Sequence, residues 1–536
     1  MSTAAQADVV IVGSGFGGAV AACRLAAPNR SVVVLERGRR WHSDALPHKP
    51  SDFIYSSRIP HRLNGWLDIR ILQRMVIGCG AGVGGGSLVY ANVCVDAPEE
   101  FFRTGWPSQI THRGMLPYYN AVTKMLAPQL IPRNQHNPRM QLLRAAADKI
   151  DAADRYTALP LAVNFDRHAT GRVPGEPWKH PNGYAAGTCV HCGNCCIGCH
   201  TGAKKTLDQN YLRQAEAQRV HIQPLSMVTH LSKERDCRWR VHYLDISDGR
   251  RQRREITCRV VILAAGSLGT TEILLRTRDE FGTVSGLPRA LGRGWSPNGD
   301  FLTLARYPGR ELAPTKGPTI GAAIDFLTGV DQPDDNLDGV DGQLYVEDGG
   351  LPNIAEALLA SWKSAGGWKQ RIYENACEKT RFQSMIPWFG QSIDAADGEF
   401  SLRSRHAFWR GRLRLDWNPQ LSMQALDTFG DMHVAMTLAT GGVPIPLLTW
   451  KRLRMLVTPH PLGGCNMGSA PGVGVVDHTG EVFGQKNLFV MDGAVIPRAI
   501  GRNPSKTIAA IAERSCDRLG DRLDRESSRH SGRYGR

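Results

Sequence analysis

An α/β fold class follows from three features of this 536-residue chain. The apolar run Val9–Val12 ends on Gly13-Ser14-Gly15-Phe16-Gly17-Gly18. A second apolar run, Ser31–Leu35, is closed by the acidic Glu36, and beyond residue 220 alternating apolar segments lead into another glycine turn. Short apolar runs bounded by glycine and separated by a helical stretch read as parallel strands joined by a crossover.

Taken in order, Val9–Val12 is the expected first strand, Ala19–Ala27 the helix and Ser31–Leu35 the second strand. In such a unit Gly13 allows the tight turn before Phe16, Gly15 lets the backbone approach a pyrophosphate, and Gly18 permits close packing of helix on strand. The helix N-terminus offers unpaired N–H groups and a partial positive charge to phosphates. Glu36, 18 residues past Gly18, is placed to accept hydrogen bonds from ribose hydroxyls and to repel a 2′-phosphate. The glycine pattern alone is weak evidence; with its flanking strands and Glu36 it points to an adenine dinucleotide.

A second glycine cluster runs from Gly78 to Asn92 and includes Gly82, Gly85, Gly86 and Ser87. It holds too much glycine for a strand or helix interior, and the Leu88-Val89-Tyr90 that follows is unlike a flexible linker. Backbone packing along a flavin and its ribityl-phosphate arm is the better account, with Asn92 at its end. Further on, Val228–Leu231, Trp239–Ile246 and Ile256–Leu263 alternate between charged turns as a β-meander does, which brings Val228 toward the same ligand. The meander's last strand runs into Ala264-Ala265-Gly266, a second turn where backbone (Ala265, Gly266) meets the dinucleotide.

Near the C-terminus, Pro459-His460-Pro461 sets an imidazole on a stiff loop, because each proline fixes its own φ and restricts its predecessor. Asn487–Met491 reads as a strand leading to Asp492-Gly493. Asn503-Pro504, 43 residues after His460, opens a helix expected from Ser505 to about Leu519. Oxidising an alcohol needs a base for the hydroxyl proton while hydride leaves carbon. His460 suits that task, and Asn503 can orient the hydroxyl oxygen.

Composition bounds the rest. Two to four domains are expected at this length. Hydrophobic content of 42% and 57 glycines suit a loop-rich α/β enzyme. No apolar run approaches the roughly 20 residues needed to cross a bilayer. The first strand starts near Asp8, too early to follow a cleaved signal peptide, so a cytoplasmic location with cysteines mostly reduced is the expectation. The net charge of +15 is concentrated in places: Arg250–Arg254 looks like a solvated hairpin turn, and Arg522–Arg536 reads as a disordered basic tail. Nucleic acid is not an expected partner; weak attraction to an anionic membrane surface is.

Together these motifs resemble the glucose–methanol–choline (GMC) family of flavoenzymes, on its cholesterol-oxidase-like branch. Gly13–Gly18 with Glu36, Gly82–Leu88, Gly266–Thr271, Gly294–Gly299, His460–Cys465 and Asn503-Pro504 match in order across nearly the whole chain. The resemblance implies FAD and a discontinuous Rossmann-like FAD-binding domain, assigned to residues 1–100, 205–300 and 455–520. It also implies a substrate-binding domain of antiparallel sheet with covering helices, over 101–204 and 301–454, with 521–536 as the tail. The FAD-contacting set would be Gly13, Gly15, Phe16, Gly18, Glu36, Gly82, Gly85, Gly86, Ser87, Asn92, Val228, Ala265, Gly266, Asp492, Gly493, Asn503 and Pro504. His460 and Asn503 would face the flavin. A substrate-domain glutamate of the family maps onto Glu356, with Glu347 as the other candidate. Gly78–Asn92 lacks the histidine used for covalent attachment, so FAD is expected to be non-covalent.

Cys189, Cys192, Cys195 and Cys199 have the C-x2-C-x2-C-x3-C spacing of a ferredoxin loop, without its usual following proline. An iron–sulfur cluster, a structural zinc site and unligated thiols are all consistent with it. Large apolar groups between Phe301 and Trp450 favour a lipophilic alcohol, sterol-like or long-chain, over a sugar. The acceptor is O₂ or an electron-transfer protein. A dehydrogenase of another alcohol or sugar that passes electrons onward, or a flavin redox protein without turnover, are the competing readings.

Overall fold

The computed structural model describes residues 5–41, 46–47, 50–165, 178–179, 185–235, 237–328, 343–353, 367, 370, 382–403, 413–445 and 455–531. Strand Ala5–Val12 is central to a seven-stranded sheet. On one side it pairs in parallel with Val32–Leu35, and that strand with His221–Gln223. On the other side it pairs in parallel with the 12-residue strand Gln252–Leu263. That long strand does two jobs. Its first half closes the meander against Trp239–Asp245, antiparallel, and Trp239–Asp245 pairs in turn with Ser226–Lys233. Its last three residues pair in parallel with Leu488–Val490. The strands from both glycine turns and from the C-terminal region therefore end side by side, and ligands gather outside the carboxyl ends of such strands.

The first helix begins at Phe16, directly after the glycine turn and earlier than the expected Ala19, and ends at Leu25. Gly18 allows its close seat: a Cβ there would collide with the Gly13 carbonyl oxygen. Its other neighbour is the C-terminal helix Ser505–Ser531, which also packs on helix His112–Leu126.

That C-terminal helix corrects one expectation. The segment read as a disordered tail from residue 521 stays helical through Ser531. Charge density hid the helical period: Leu519 and Leu523 are buried among basic residues. Arg522 bonds Glu481 and Asn487 at 3.0 Å each and lies over the Phe489 ring. Residues 532–536 lie outside the described part.

A six-stranded antiparallel sheet stands apart from the first. Its order is Val443–Ile445, Phe301–Arg306, Met385–Ser392, Leu344–Asp348, Ala322–Asp325, Tyr156–Ala158. Helix Met423–Ala439 covers it through Phe429, His433 and Met436, all buried. All five residues of Leu344–Asp348 are buried, including two carboxylates, Glu347 and Asp348. A smaller sheet of four strands joins Leu456–Thr458, just before His460, to Met75–Gly80, which leads into the second glycine loop. Among the described residues no helix is long and apolar enough to cross a membrane.

Candidate active site

A cavity of about 1610 Å³ opens where the two larger sheets meet. It exceeds the roughly 300–1,000 Å³ of an ordinary small-molecule site. Two helices start at its wall, Phe16–Leu25 after Gly15, which has no side-chain cap, and Gly266–Leu275 after Ala265, whose first N–H is taken by the Asp492 carboxylate. Uncapped N-termini leave N–H donors for a ligand, above all for phosphate. At Gly15 and Gly266 a Cβ would meet no atom within 4 Å, so the backbone there faces open space. Gly266 also has φ of +81°, a conformation that suits glycine.

Glu36 is buried at the end of strand Val32–Leu35 and lines the same cavity. Its Oε2 accepts from the Ser14 N–H (3.1 Å) and hydroxyl (2.7 Å), and its Oε1 from the Gly38 N–H (2.9 Å). These bonds fix the carboxylate and leave it further accepting capacity. Asp492 joins the strand Leu488–Val490 to the second helix. Its Oδ2 accepts from the Gly266 N–H (2.9 Å) and Thr270 hydroxyl (2.5 Å), and its Oδ1 from the Ala494 N–H (2.8 Å). Burial pushes its carboxyl up to about 6 against those bonds.

At the other end stand the side chains able to do chemistry. His460 lines the cavity, and its Nδ1 lies 2.9 Å from Oδ1 of the fully buried Asp300. Asp300 Oδ2 accepts from the Thr458 hydroxyl at 2.5 Å, and Thr458 Oγ1 accepts from the His460 N–H at 2.9 Å. Asn503 also lines the cavity, and its buried Oδ1 has no hydrogen-bond partner among the described residues. Its loop is held by Asn298, whose Oδ1 accepts from the N–H groups of Ile500 and Gly501.

Glu347 completes this end. Burial pushes its carboxyl up to about 8, opposed by hydrogen bonds from Gln391 (Nε2 to Oε2, 3.2 Å) and from Asn503.

Of the residues expected at the cofactor, Gly13, Gly15, Phe16, Glu36, Gly85, Gly86, Val228, Ala265, Gly266, Asp492, Gly493, Asn503 and Pro504 line the cavity. Gly18, Gly82, Ser87 and Asn92 do not. Gly18 seats the first helix, and a Cβ at Gly82 would collide with the Trp41 ring. Ser87 donates to the Gly84 carbonyl and accepts from the Leu207 N–H. Asn92 is buried with φ of +71°, and its amide has no hydrogen-bond partner among the described residues. Glu356 lies outside the described residues; Glu347, the other candidate, is the one found beside Asn503.

The cysteine loop departs from the spacing argument. Among the described residues no three His, Cys, Asp or Glu side chains form a metal-binding group, so Cys189, Cys192, Cys195 and Cys199 are not gathered as ligands. Positive φ values at His191, Gly193 and Gly198 turn the loop sharply. Cys189 Sγ accepts from the His191 N–H, and Cys199 Sγ from the Lys204 N–H. Cys196, outside the four-residue pattern, is the cysteine of this loop that reaches the cavity, beside Thr319. The twelve described cysteines are all free thiols.

Asp300, Asn298 and Gln391 escaped sequence reading. For the first two a signal existed, since they lie in or beside the Gly294–Gly299 motif; Gln391 carried none.

The fold and site define a dinucleotide-dependent oxidoreductase whose cavity wall carries an imidazole, His460, and an amide, Asn503. The GMC oxidoreductase family model matches residues 174–278 and 447–512, and an NAD(P)-binding Rossmann-like model matches 11–49. A cholesterol oxidase of Mycobacterium tuberculosis (strain H37Rv) is 30% identical over 542 residues, covering 95% of this chain and 90% of its own. A cholesterol oxidase of Acinetobacter baumannii is 28% identical, covering 95% and 93%. A long-chain-alcohol oxidase of Arabidopsis thaliana is 24% identical, covering 97% and 68%. Among solved structures, a formate oxidase of Aspergillus oryzae shares the fold with a TM-score of 0.65 at 14% identity, covering 96% of this chain and 98% of its own. The chain belongs to the GMC oxidoreductase family, on its cholesterol-oxidase-like branch. It is an FAD-dependent enzyme acting on CH–OH donors.

Proposed function

We propose that this enzyme oxidises the CH–OH group of a lipophilic alcohol, a sterol-like secondary alcohol first and a long-chain primary alcohol second, with O₂ as acceptor. The observation that carries this is the shared cavity: His460 and Asn503 stand at one end of it beside the apolar side chains Leu302, Ile320, Leu351, Phe389, Leu413 and Leu415. A sugar would leave its hydroxyls unpaired against such a wall. The names of the relatives, cholesterol oxidase and long-chain-alcohol oxidase, agree with it.

In this reading the segments of the seven-stranded sheet (within 1–100, 205–300 and 455–520) hold FAD without a covalent bond, and those of the six-stranded sheet (within 101–204 and 301–454) cover the substrate. Gly15 and the N-terminus of helix Phe16–Leu25 hold the phosphates, Glu36 the ribose, and the Ala265-Gly266 turn closes the backbone on the cofactor. Bound FAD supplies the hydride acceptor. His460 takes the hydroxyl proton through Nε2, since Nδ1 is engaged by Asp300. Asn503 orients the substrate oxygen with its amide. Glu347, with its carboxyl pushed up to about 8, is largely protonated at neutral pH and is not the base there. Its proton gives a donor to a neighbourhood where Gln391 Oε1 and Asn503 Oδ1 are buried without one. Weak attraction to anionic lipid, from the +15 charge, belongs to the same proposal.

Anaerobic mixing with cholesterol, 1-dodecanol or D-glucose tests the reading. Cholesterol should bleach the flavin fastest and glucose slowest. His460→Ala should slow that bleaching by roughly 10²–10⁴-fold. Glucose bleaching faster than both lipophilic alcohols would overturn the substrate class.

A further inference from the structure

Asp300 is completely buried, yet among the described residues no Lys or Arg bonds it. A buried carboxylate without compensation costs several kcal/mol, so its partners explain its presence. Both oxygens are committed, Oδ1 to His460 Nδ1 at 2.9 Å and Oδ2 to the Thr458 hydroxyl at 2.5 Å. Thr458 Oγ1 also accepts from the His460 N–H at 2.9 Å, which closes a ring of hydrogen bonds through Asp300, Thr458 and His460. Pro459 and Pro461 stiffen the loop on either side. The imidazole is thus held in place and orientation by Asp300, 160 residues away in sequence, and by Thr458, two residues before it.

We propose that Asp300 is a positioning residue for proton transfer: it holds His460 in the tautomer protonated at Nδ1, keeps the Nε2 lone pair toward the substrate hydroxyl, and stabilises the imidazolium once formed. This rests on the reading of His460 as base. In the step, the substrate O–H bond breaks and its proton goes to His460 Nε2. Hydride leaves the same carbon for FAD, and the alcohol becomes a carbonyl. Asp300 stays ionised and exchanges no proton. The same division of labour operates wherever a carboxylate orients a catalytic imidazole. Burial pushes the Asp300 carboxyl up, and the charge and hydrogen bond of His460 are the largest influences drawing it back. The groups facing the pair are Thr458 on the histidine loop, Glu347 on strand Leu344–Asp348, and the Phe389 ring 6.1 Å from the imidazole. Of these, Glu347 is the titrating one.

The test uses FAD-loaded enzyme labelled with ¹⁵N-histidine, the His460 resonances being assigned by their loss in His460→Gln. The expected result is a protonated Nδ1 and an unprotonated Nε2 in the neutral ring. Asp300→Asn should shift part of the neutral ring to the form protonated at Nε2. It should also slow anaerobic reduction by cholesterol about 10²–10⁴-fold, with FAD content unchanged. A wild-type neutral ring protonated at Nε2 would overturn the proposal, as would an Asp300→Asn enzyme with unaltered tautomer and rate. Should Asp300→Asn fail to fold, Thr458→Val removes only the hydroxyl between the partners. About tenfold slower reduction is then expected, and no change refutes the role. If His460→Gln itself reduces at the wild-type rate, the parent reading falls; if it is slow while Asp300→Asn is fast, only the role of Asp300 falls.

Discussion

The side-chain amide of Asn298 donates to the carbonyl of Arg502 at 3.0 Å, immediately before Asn503. Its Oδ1 accepts from the N–H groups of Ile500 at 2.8 Å and Gly501 at 3.2 Å. One buried amide thereby ties the entry of strand Phe301–Arg306 to the loop presenting Asn503. Asn298→Ala removes three buried hydrogen bonds. At about 1 kcal/mol each it should cost about 2–4 kcal/mol in stability. Reduction by substrate should slow more than FAD binding weakens, because the loosened loop carries Asn503. Denaturant unfolding and anaerobic stopped-flow measure the two effects; a stable variant with an unchanged rate would remove Asn298 from this account.

Neighbouring glycines at the first turn should respond oppositely to a methyl group. A Cβ at Gly15 meets nothing within 4 Å, and its φ of −69° suits any residue. A Cβ at Gly17 collides with the Met491 carbonyl oxygen. Gly15→Ala should therefore fold normally yet retain FAD at least tenfold less tightly, because the methyl fills the phosphate cradle. Gly17→Ala should fail to accumulate as folded protein. Flavin-to-protein absorbance ratio after desalting separates the two; full FAD retention by Gly15→Ala would move the pyrophosphate elsewhere.

Glu347 makes a prediction about pH. Its carboxyl is raised from 4.5 to about 8 in the folded protein, chiefly by burial. From pH 4.5 to 8 the folded state thus holds a proton that the unfolded state has released. Its stabilising contribution is complete below pH 4.5 and is lost as pH rises through 8. Asp348, Asp394 and Asp492 are raised only to about 6, and every other titrating group is shared by the wild type and Glu347→Gln, so their difference between pH 6 and 8 reports Glu347. The wild type should lose about 2 kcal/mol relative to Glu347→Gln across that interval. Urea unfolding at several pH values reads the difference directly, and parallel curves would show that Glu347 titrates normally.

What was legible in the sequence was local. The glycine turn with Glu36, the proline-flanked His460 and Asn503-Pro504 carry their chemistry within a few residues, where backbone restriction can be read directly. The partners of these groups were not local. Asp300 reaches His460 across 160 residues, and Glu347 meets Gln391 across 44 through strand register, which spacing does not encode. The cysteines are a different case: their spacing fixes the length of chain between sulfurs and left several readings open, while positive φ at His191, Gly193 and Gly198 turns the loop that carries them. The final helix was read only as far as Leu519, because beyond it the buried Leu523 is diluted by charge.

That helix supplies the last prediction. Leu523 is 1% exposed, while the Asp524 side chain is 72% exposed although it pairs with Arg30 at 2.6 Å. Surface ion pairs contribute about 0–1 kcal/mol, whereas truncating a buried leucine costs about 2–5 kcal/mol. Leu523→Ala should therefore destabilise the enzyme by about 2–4 kcal/mol, and Asp524→Asn by less than about 1 kcal/mol. Because Leu523 lies on the same helix that backs Phe16–Leu25, its loss should also weaken FAD retention on heating. Thermal unfolding followed by flavin fluorescence reads both effects. Equal melting temperatures for the two variants would show that the helix beyond Leu519 adds nothing to the fold, as a disordered tail would.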